Sequence, residues 1–140
     1  MRIAKQFDVE RSRDAVVEVA AREEMLLGLF PDAKTEIISR EGDRITARTR
    51  YRALGRDGEA TFHFTFLLDG GVRFEKVCDG NVWRALRGEM FFEESGARTR
   101  VRIEMDGRTR PLVPEFTIKG AMQEQIDQMA TALRERIENA

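Results

Sequence analysis

The chain has 140 residues, and its 24 basic and 25 acidic residues leave a net charge of −1. A chain of this length suits one domain, which we predict to span residues 1–140, and it buries enough surface for a core and a small cavity. The balanced charge argues against a dedicated nucleic-acid binder, because such proteins usually carry a positive excess.

Residues 2–31 predict a strand followed by helical structure. The segment "RIAKQFDVE" (2–10) alternates apolar and polar residues, as a half-buried strand does. Ser12 is a favoured N-cap residue, and Asp14 falls in the first helical turn, where a carboxylate suits the helix dipole. Pro31 ends this stretch, which we interpret as two short helices with a break near residues 21–23.

The middle of the chain predicts six strands in hairpin succession. Alternating segments are separated by the turn signals "EGD" (41–43), "GRDGE" (55–59), "DGG" (69–71), "DGN" (79–81) and "SGA" (95–97). Consecutive hairpins form an antiparallel sheet, and the alternation gives that sheet one apolar face.

The last part of the chain predicts a long amphipathic helix. Pro111 and Pro114 end the sheet region, and from about Glu115 apolar residues recur in steps of three and four. These residues are Ile118, Met122, Ile126, Met129, Leu133 and Ile137. One such helix can cover the apolar face of the sheet, so the fold class is α+β.

Three segments carry a resemblance to a known family. "FPDAKTEIISREGD" (30–43) resembles its proline-ended helix running into the second strand, and "WRALRGEMFFEESGARTRVRIEM" (83–105) resembles its strand pair with a central glycine. "RPLVPEF" (110–116), leading into the last helix, resembles its closing element. Over nearly its whole length the chain resembles the START-related superfamily of polyketide cyclases and lipid-transport proteins, in particular the polyketide cyclase or coenzyme Q-binding-like branch.

The resemblance implies a helix-grip fold. In that fold a curved antiparallel sheet of six or seven strands wraps around the C-terminal helix, two short helices follow the first strand, and a cavity lies between sheet and helix. Two positions depart from the family's pattern. Met90 stands where a tryptophan is common, and Ala97 and Arg98 precede Thr99 where the hairpin glycine is expected.

The arginines on two predicted strands form either a solvated outer face of the sheet or a binding surface. Strand alternation places them on the outer face, where Glu75, Glu89 and Glu104 are candidate partners across strands. The alternative is a nucleic-acid or ribosome-binding surface, but no stacking aromatic residues are interleaved on that face, which argues against it. The arginines are Arg48, Arg50, Arg52, Arg100 and Arg102.

The apolar face supplies the candidate ligand-binding residues. Flexible methionines beside aromatic rings suit irregular apolar ligands, and the alternative for each residue is a filled core. Tyr51 and Lys76 share the parity of inward residues and would orient a polar end of the ligand. The full predicted set is Tyr51, Phe62, Phe64, Phe66, Phe74, Lys76, Met90, Phe92, Met105, Met122, Ile126 and Met129.

The leading functional hypothesis is binding or transport of a small apolar ligand that is lipid-like, isoprenoid or polyketide-like. Access would lie between the long helix and the loops near residues 24–33 and 53–59. One alternative is a cyclase or dehydratase in which Tyr51 or Lys76 moves a proton. Another is a ribosome or protein interaction module. The pattern assigns no catalytic residue and no oligomeric state, and alternation turns His63 away from the cavity.

Cysteine and hydropathy patterns set expectations for compartment and cofactors. Cys78 is the only cysteine and His63 the only histidine, so we predict no disulfide and no metal site. No motif predicts a cofactor. The first residues lack the apolar run of a signal peptide, and no apolar run reaches the roughly 20 residues of a membrane span. We expect a soluble, cytoplasmic protein without membrane insertion.

Overall fold

Seven antiparallel strands form one sheet in a computed structural model that describes residues 1–53 and 56–140. Their order across the sheet is β1-β7-β6-β5-β4-β3-β2, so each hairpin pairs consecutive strands and β1 joins the far side of β7. The strands are β1 (Arg2–Val9), β2 (Lys34–Glu41), β3 (Arg44–Ala53), β4 (Arg56–Phe66), β5 (Val72–Lys76), β6 (Trp83–Ser95) and β7 (Arg98–Thr109).

Two short helices follow the first strand, as predicted. They are α1 (Arg13–Ala20) and α2 (Glu23–Leu27). The Ser12 hydroxyl caps α1 by accepting a hydrogen bond from the backbone N–H of Ala15 at 3.2 Å. This cap satisfies one of the N–H groups that have no partner within the helix.

The long C-terminal helix is α3 (Lys119–Glu138), preceded by a 3₁₀ turn at Glu115–Thr117. It begins later than the predicted start near Glu115, because the chain first makes this tighter turn after Pro114. The predicted apolar stripe is buried along its whole length, from Ile118 to Ile137. Among the described residues, no helix is both long and apolar enough to cross a membrane.

The hairpin between β3 and β4 differs from the prediction. We predicted a turn over residues 55–59, of which residue 55 lies outside the described residues. β4 already begins at Arg56, and Tyr51 pairs with Gly58 across the two strands. Gly58 is therefore a strand residue, and the ring of Tyr51 lies against the space that a side chain at Gly58 would fill.

The core lies between the sheet and α3. Phe64, Phe74, Met105, Ile126 and Met129 are all at most 1% exposed. Gly88 of β6 is the residue that admits Phe74, because a β-carbon at Gly88 would collide with the Phe74 ring and with the carbonyl oxygen of Glu104. The sheet and α3 form the predicted helix-grip arrangement.

Candidate ligand-binding cavity

A cavity of 390 Å³ opens between the sheet and the first half of α3. The inner faces of β3, β4 and β5 contribute to it, together with the start of β6 and the segment between α2 and β2. The lining residues are Phe30, Asp32, Ala33, Thr49, Tyr51, Arg52, Ala60, Phe62, Lys76, Trp83, Leu86, Ala121, Met122, Glu124, Gln125 and Gln128.

Aromatic rings lead from the cavity into the core. The rings of Phe30 and Phe62 are stacked, with centroids 5.5 Å apart and planes inclined by 27°. The ring centroid of Phe62 is 6.1 Å from that of Phe64, and the centroid of Phe64 is 6.4 Å from that of Phe74. Phe64 and Phe74 do not line the cavity. The apolar space therefore ends at Phe62, and the rings beyond it belong to the packed interior.

Trp83 and Met122 meet over a glycine of β7. A β-carbon at Gly107 would stand 2.5 Å from Cζ3 of Trp83 and 3.2 Å from Cε of Met122. Both side chains line the cavity. The bare backbone of Gly107 thus lets an indole and a thioether pack closely where β6, β7 and α3 meet.

Two polar side chains lie among the apolar residues of the sheet. Thr49 is 5% exposed, and its hydroxyl is 3.1 Å from the hydroxyl of Thr35 on β2. Among the described residues, the half-buried Lys76 donates from Nζ only to the carbonyl of Val77, at 3.3 Å. Within the residues that the structure describes, no carboxylate lies within ion-pair distance of Lys76. The threonine hydroxyl is therefore satisfied, whereas the ammonium has donor capacity left.

Tyr51 lies at the mouth of the cavity and is 42% exposed. Its parity on β3 is that of the inward residues, as predicted from alternation. The ring lies so close to Gly58 that a β-carbon there would stand 2.6 Å from Cζ and 2.8 Å from the hydroxyl oxygen. Tyr51 therefore borders the opening rather than the floor.

The rest of the opening is polar. Gln128 of α3 donates to Oδ2 of Asp32 at 3.2 Å, joining α3 to the segment before β2. Arg52 lies 3.9 Å from Asp57 on the neighbouring strand. Apolar side chains thus form the floor and polar ones the rim, an arrangement common in small-molecule sites.

The structure brings together four of the twelve predicted ligand-binding residues, namely Tyr51, Phe62, Lys76 and Met122. Phe66 is half-buried near the other end of β4. The remaining seven lie in the packed core, the alternative stated for every residue of the apolar face. They are Phe64, Phe74, Met90, Phe92, Met105, Ile126 and Met129.

Several cavity residues were not predicted. Phe30 lies in the segment between α2 and β2, where strand alternation gives no direction, although an apolar residue just before Pro31 was a usable signal. Ala60 and Leu86 have inward parity but lack the aromatic ring or sulfur atom that most of the predicted candidates carry. The glutamines of α3 became candidates only once its position over the sheet was known.

Alternation predicted all five arginines on the outer face, and each has an acidic partner, although Arg52 near the end of β3 also reaches the rim of the cavity. Glu104 was predicted to pair across strands but pairs with Arg102 of its own strand, and Glu89 pairs with Arg73 instead. In the described part of the chain Glu75 has no ion pair. The other N–O distances are 3.5 Å for Arg48–Glu36, 3.1 Å for Arg50–Glu59, 3.9 Å for Arg52–Asp57 and 3.3 Å for Arg100–Asp8.

The remaining titratable groups singled out by the sequence lie outside the cavity. His63 is on the outer face, with Nδ1 2.8 Å from the Thr46 hydroxyl and Nε2 3.2 Å from the Arg44 guanidinium. At the start of α2, which the sequence did not single out, the side-chain hydrogen bond from Arg40 lowers the pKa of Glu23 from its ordinary value. Cys78 follows β5, with Sγ 3.5 Å from the carbonyl oxygen of Lys76.

Comparison with known proteins identifies the fold and no closer relationship. No protein-family model and no curated protein sequence matches the chain. The Zhui aromatase/cyclase of a Streptomyces species superposes with a TM-score of 0.78 at 15% identity, covering 99% of this chain and 92% of that one. A START superfamily protein of Mycobacterium smegmatis superposes with a TM-score of 0.77 at 17% identity, covering 99% of this chain and 97% of that one.

A third solved structure, the STAR-related lipid transfer protein of Xanthomonas axonopodis, gives a TM-score of 0.66 at 16% identity. The superposition covers 97% of this chain and 85% of that one. At such identities the likeness is one of fold. The predicted helix-grip fold is confirmed.

Proposed function

We propose that the chain binds, and carries or sequesters, a small apolar ligand in the cavity between the sheet and α3. The observation that carries this proposal is the stacked pair Phe30–Phe62, which belongs to the core, at 7% and 4% exposure, and also lines the cavity. Apolar surface left at a concave site favours an apolar ligand, since burying it releases about 25 cal/mol per Å². Lipid-like, isoprenoid and polyketide-like molecules supply such surface.

The solved structures of the same fold support this class of ligand. One is described as an aromatase/cyclase and another as a lipid transfer protein, and both names imply an apolar or aromatic molecule bound by those proteins. What this chain adds is its own lining, with a half-buried lysine and a tyrosine at the rim. Fold alone does not transfer a function, so the proposal depends on that lining.

The cyclase alternative gains less support from the geometry. A residue that moves a proton is usually oriented by a second polar group. Among the described residues neither Lys76 nor Tyr51 has a hydrogen-bonded carboxylate or imidazole partner. Binding is therefore the function that this lining favours.

Native mass spectrometry of the purified chain, with organic extraction, tests the proposal against two variants. Ala121 is exposed on α3 and lines the cavity, so Ala121→Phe should cover its opening without disturbing the core. Thr131→Phe, on an exposed position of the same helix away from the cavity, is the matched control. We expect a discrete added mass on wild type and Thr131→Phe that Ala121→Phe loses.

If the purified chain carries nothing, the same three proteins are titrated with 2-naphthalenemethanol, an uncharged two-ring probe. Binding that Ala121→Phe weakens and Thr131→Phe leaves unchanged supports the proposal. Equal binding by all three proteins, or binding by none, overturns it.

A further inference from the structure

We infer that the cavity selects ligands that join a compact, ring-sized apolar body to one anionic group, with Lys76 as the counter-charge. This inference rests on the proposed function and names the ligand class for the same cavity. It follows from three observations: where the lysine lies, what its ammonium lacks, and how far the apolar space extends.

The position of Lys76 sets its ammonium beside apolar surface. Lys76 pairs with Phe62 across β4 and β5, so their side chains are neighbours on the inner face of the sheet. Continuing the β5–β6 register by one residue beyond Glu75–Arg87 brings Leu86 opposite Lys76 on its other side. Both neighbours line the cavity. A ligand over Phe62 and Leu86 therefore lies within reach of the lysine.

The ammonium of Lys76 lacks a protein partner of opposite charge. In the described part of the chain, its single hydrogen bond is the 3.3 Å contact to the carbonyl of the next residue. A lysine ammonium has three N–H donors, so two remain for a ligand. The other cation of the lining, Arg52, already faces Asp57 at 3.9 Å. Arg52 is also strongly exposed at the rim, so Lys76 is the cation that lies beside the apolar floor of the cavity.

The acids of the lining do not cancel this charge. Asp32 and Glu124 are exposed at the rim, and Asp32 accepts a hydrogen bond from Gln128. Neither is within ion-pair distance of the Lys76 ammonium, whereas every outer-face arginine singled out above has such a partner. A charge that becomes desolvated when a ligand covers it needs a paired charge, which only the ligand can supply here.

The extent of the apolar space limits the body of the ligand. The cavity measures 390 Å³ and ends at Phe62, because Phe64 and Phe74 fill the space beyond. The paired rings of Phe30 and Phe62 line this space, and aromatic side chains pack well against a ring-shaped body. One or two fused rings can be covered there, whereas a long acyl chain would have to bend within this space or leave part of its length outside.

The test compares two probes of matched shape by isothermal titration calorimetry. The anionic probe is 2-naphthoate, and the neutral one is 2-naphthalenemethanol. Wild type should bind the anion about tenfold more tightly, the usual value of a charge-assisted hydrogen bond in a partly buried site. Lys76→Met keeps the apolar stem and should reduce the preference to within about twofold, while Lys76→Arg should retain it. Lys119→Met removes the same charge from an exposed position outside the cavity lining and should leave the preference intact.

Each outcome separates this inference from the proposed function. Equal affinity of wild type for both probes overturns the inferred preference for anionic ligands, while the proposed apolar binding site remains supported. An anion preference that survives Lys76→Met overturns the role of Lys76. Tighter binding of palmitate than of 2-naphthoate overturns the size limit. Binding of no probe at all overturns the proposed function together with the inference.

Discussion

The ring of Tyr51 lies across the backbone of Gly58, its partner on the neighbouring strand. The space for a β-carbon at Gly58 is only 2.6 Å from Cζ of the tyrosine and 2.8 Å from its hydroxyl oxygen. Because the strand glycine has no side chain, the aromatic ring rests flat at the mouth of the cavity. The position of the only tyrosine in the chain is thus set by the residue opposite it.

Gly58→Ala should displace the Tyr51 ring. The added methyl group occupies the space against the ring, and the exposed side of the ring leaves room to move, so we expect a stability change within about 1 kcal/mol. The aromatic proton resonances of the single tyrosine report the displacement directly. Gly120→Ala, with nothing within 4 Å of the new β-carbon, is the control. Unchanged tyrosine resonances in Gly58→Ala would contradict the contact.

Gly88→Ala should destabilise the fold much more strongly. The new β-carbon meets the Phe74 ring and the backbone carbonyl of Glu104, and a paired strand cannot move its backbone freely. We expect a loss of about 1–3 kcal/mol or more in the free energy of unfolding, measured in urea. Gly80→Ala, which meets nothing within 4 Å, should be nearly neutral. Adding Phe74→Leu to Gly88→Ala should recover part of the loss, and strict additivity of the two changes would argue against the clash.

Asp127 should make folding stability depend on acid pH. The ammonium of Lys5, 2.7 Å from Oδ1, lowers the pKa of the Asp127 carboxyl from its ordinary value by hydrogen bonding to the carboxylate. A carboxyl whose folded pKa is lowered stabilises the fold above its unfolded pKa of about 3.9, and this contribution is lost as the pH falls through the folded pKa.

The free energies of unfolding of wild type and Asp127→Asn should therefore differ at pH 7. The two values should converge as the pH falls below the folded pKa of Asp127. Urea unfolding at a series of pH values measures this, with Glu124→Gln, which removes an exposed carboxylate of the same helix, as the control. A constant difference between wild type and Asp127→Asn across the whole series would show that the pair does not shift the titration.

The outer face should not bind RNA. Four of its arginines face carboxylates on neighbouring strands at 3.1–3.9 Å, and Arg102 faces Glu104 of its own strand at 2.8 Å, so few are free to displace counterions from a phosphate backbone. Fluorescence anisotropy with labelled single-stranded RNA at low salt should show no saturable binding. Saturable binding with a steep salt dependence, lost in Arg50→Glu, would restore the interaction hypothesis.

Alternation along the strands predicts which face a side chain occupies but not its depth. Phe62 and Phe64 have the same parity and both are buried, yet Phe62 borders the cavity and Phe64 fills the core. The difference depends on where α3 crosses the sheet, which no local pattern contains. The long helix and the hairpins follow from local patterns and were predictable. The lining of the cavity depends on the position of α3, and only four of the twelve candidate residues meet there.

Local patterns also failed where a residue type has two common uses. Gly58 fits a turn as well as a strand glycine beneath an aromatic ring, and its role is decided by Tyr51 across the strand pair. Lys76 is the opposite case, because its strand parity alone placed it correctly on the inner face. Its lack of a protein counter-charge became visible only in three dimensions.

The most direct test of ligand binding in this cavity is a nitrogen-15 and methyl-resolved NMR titration of the chain with 2-naphthalenemethanol. We predict saturable shift changes concentrated at Thr49, Ala60, Leu86 and Met122, with intermolecular contacts to the indole of Trp83, the only tryptophan. Shift changes confined to the exposed apolar side chains of Leu68, Leu112 and Phe116, without saturation, would contradict the account.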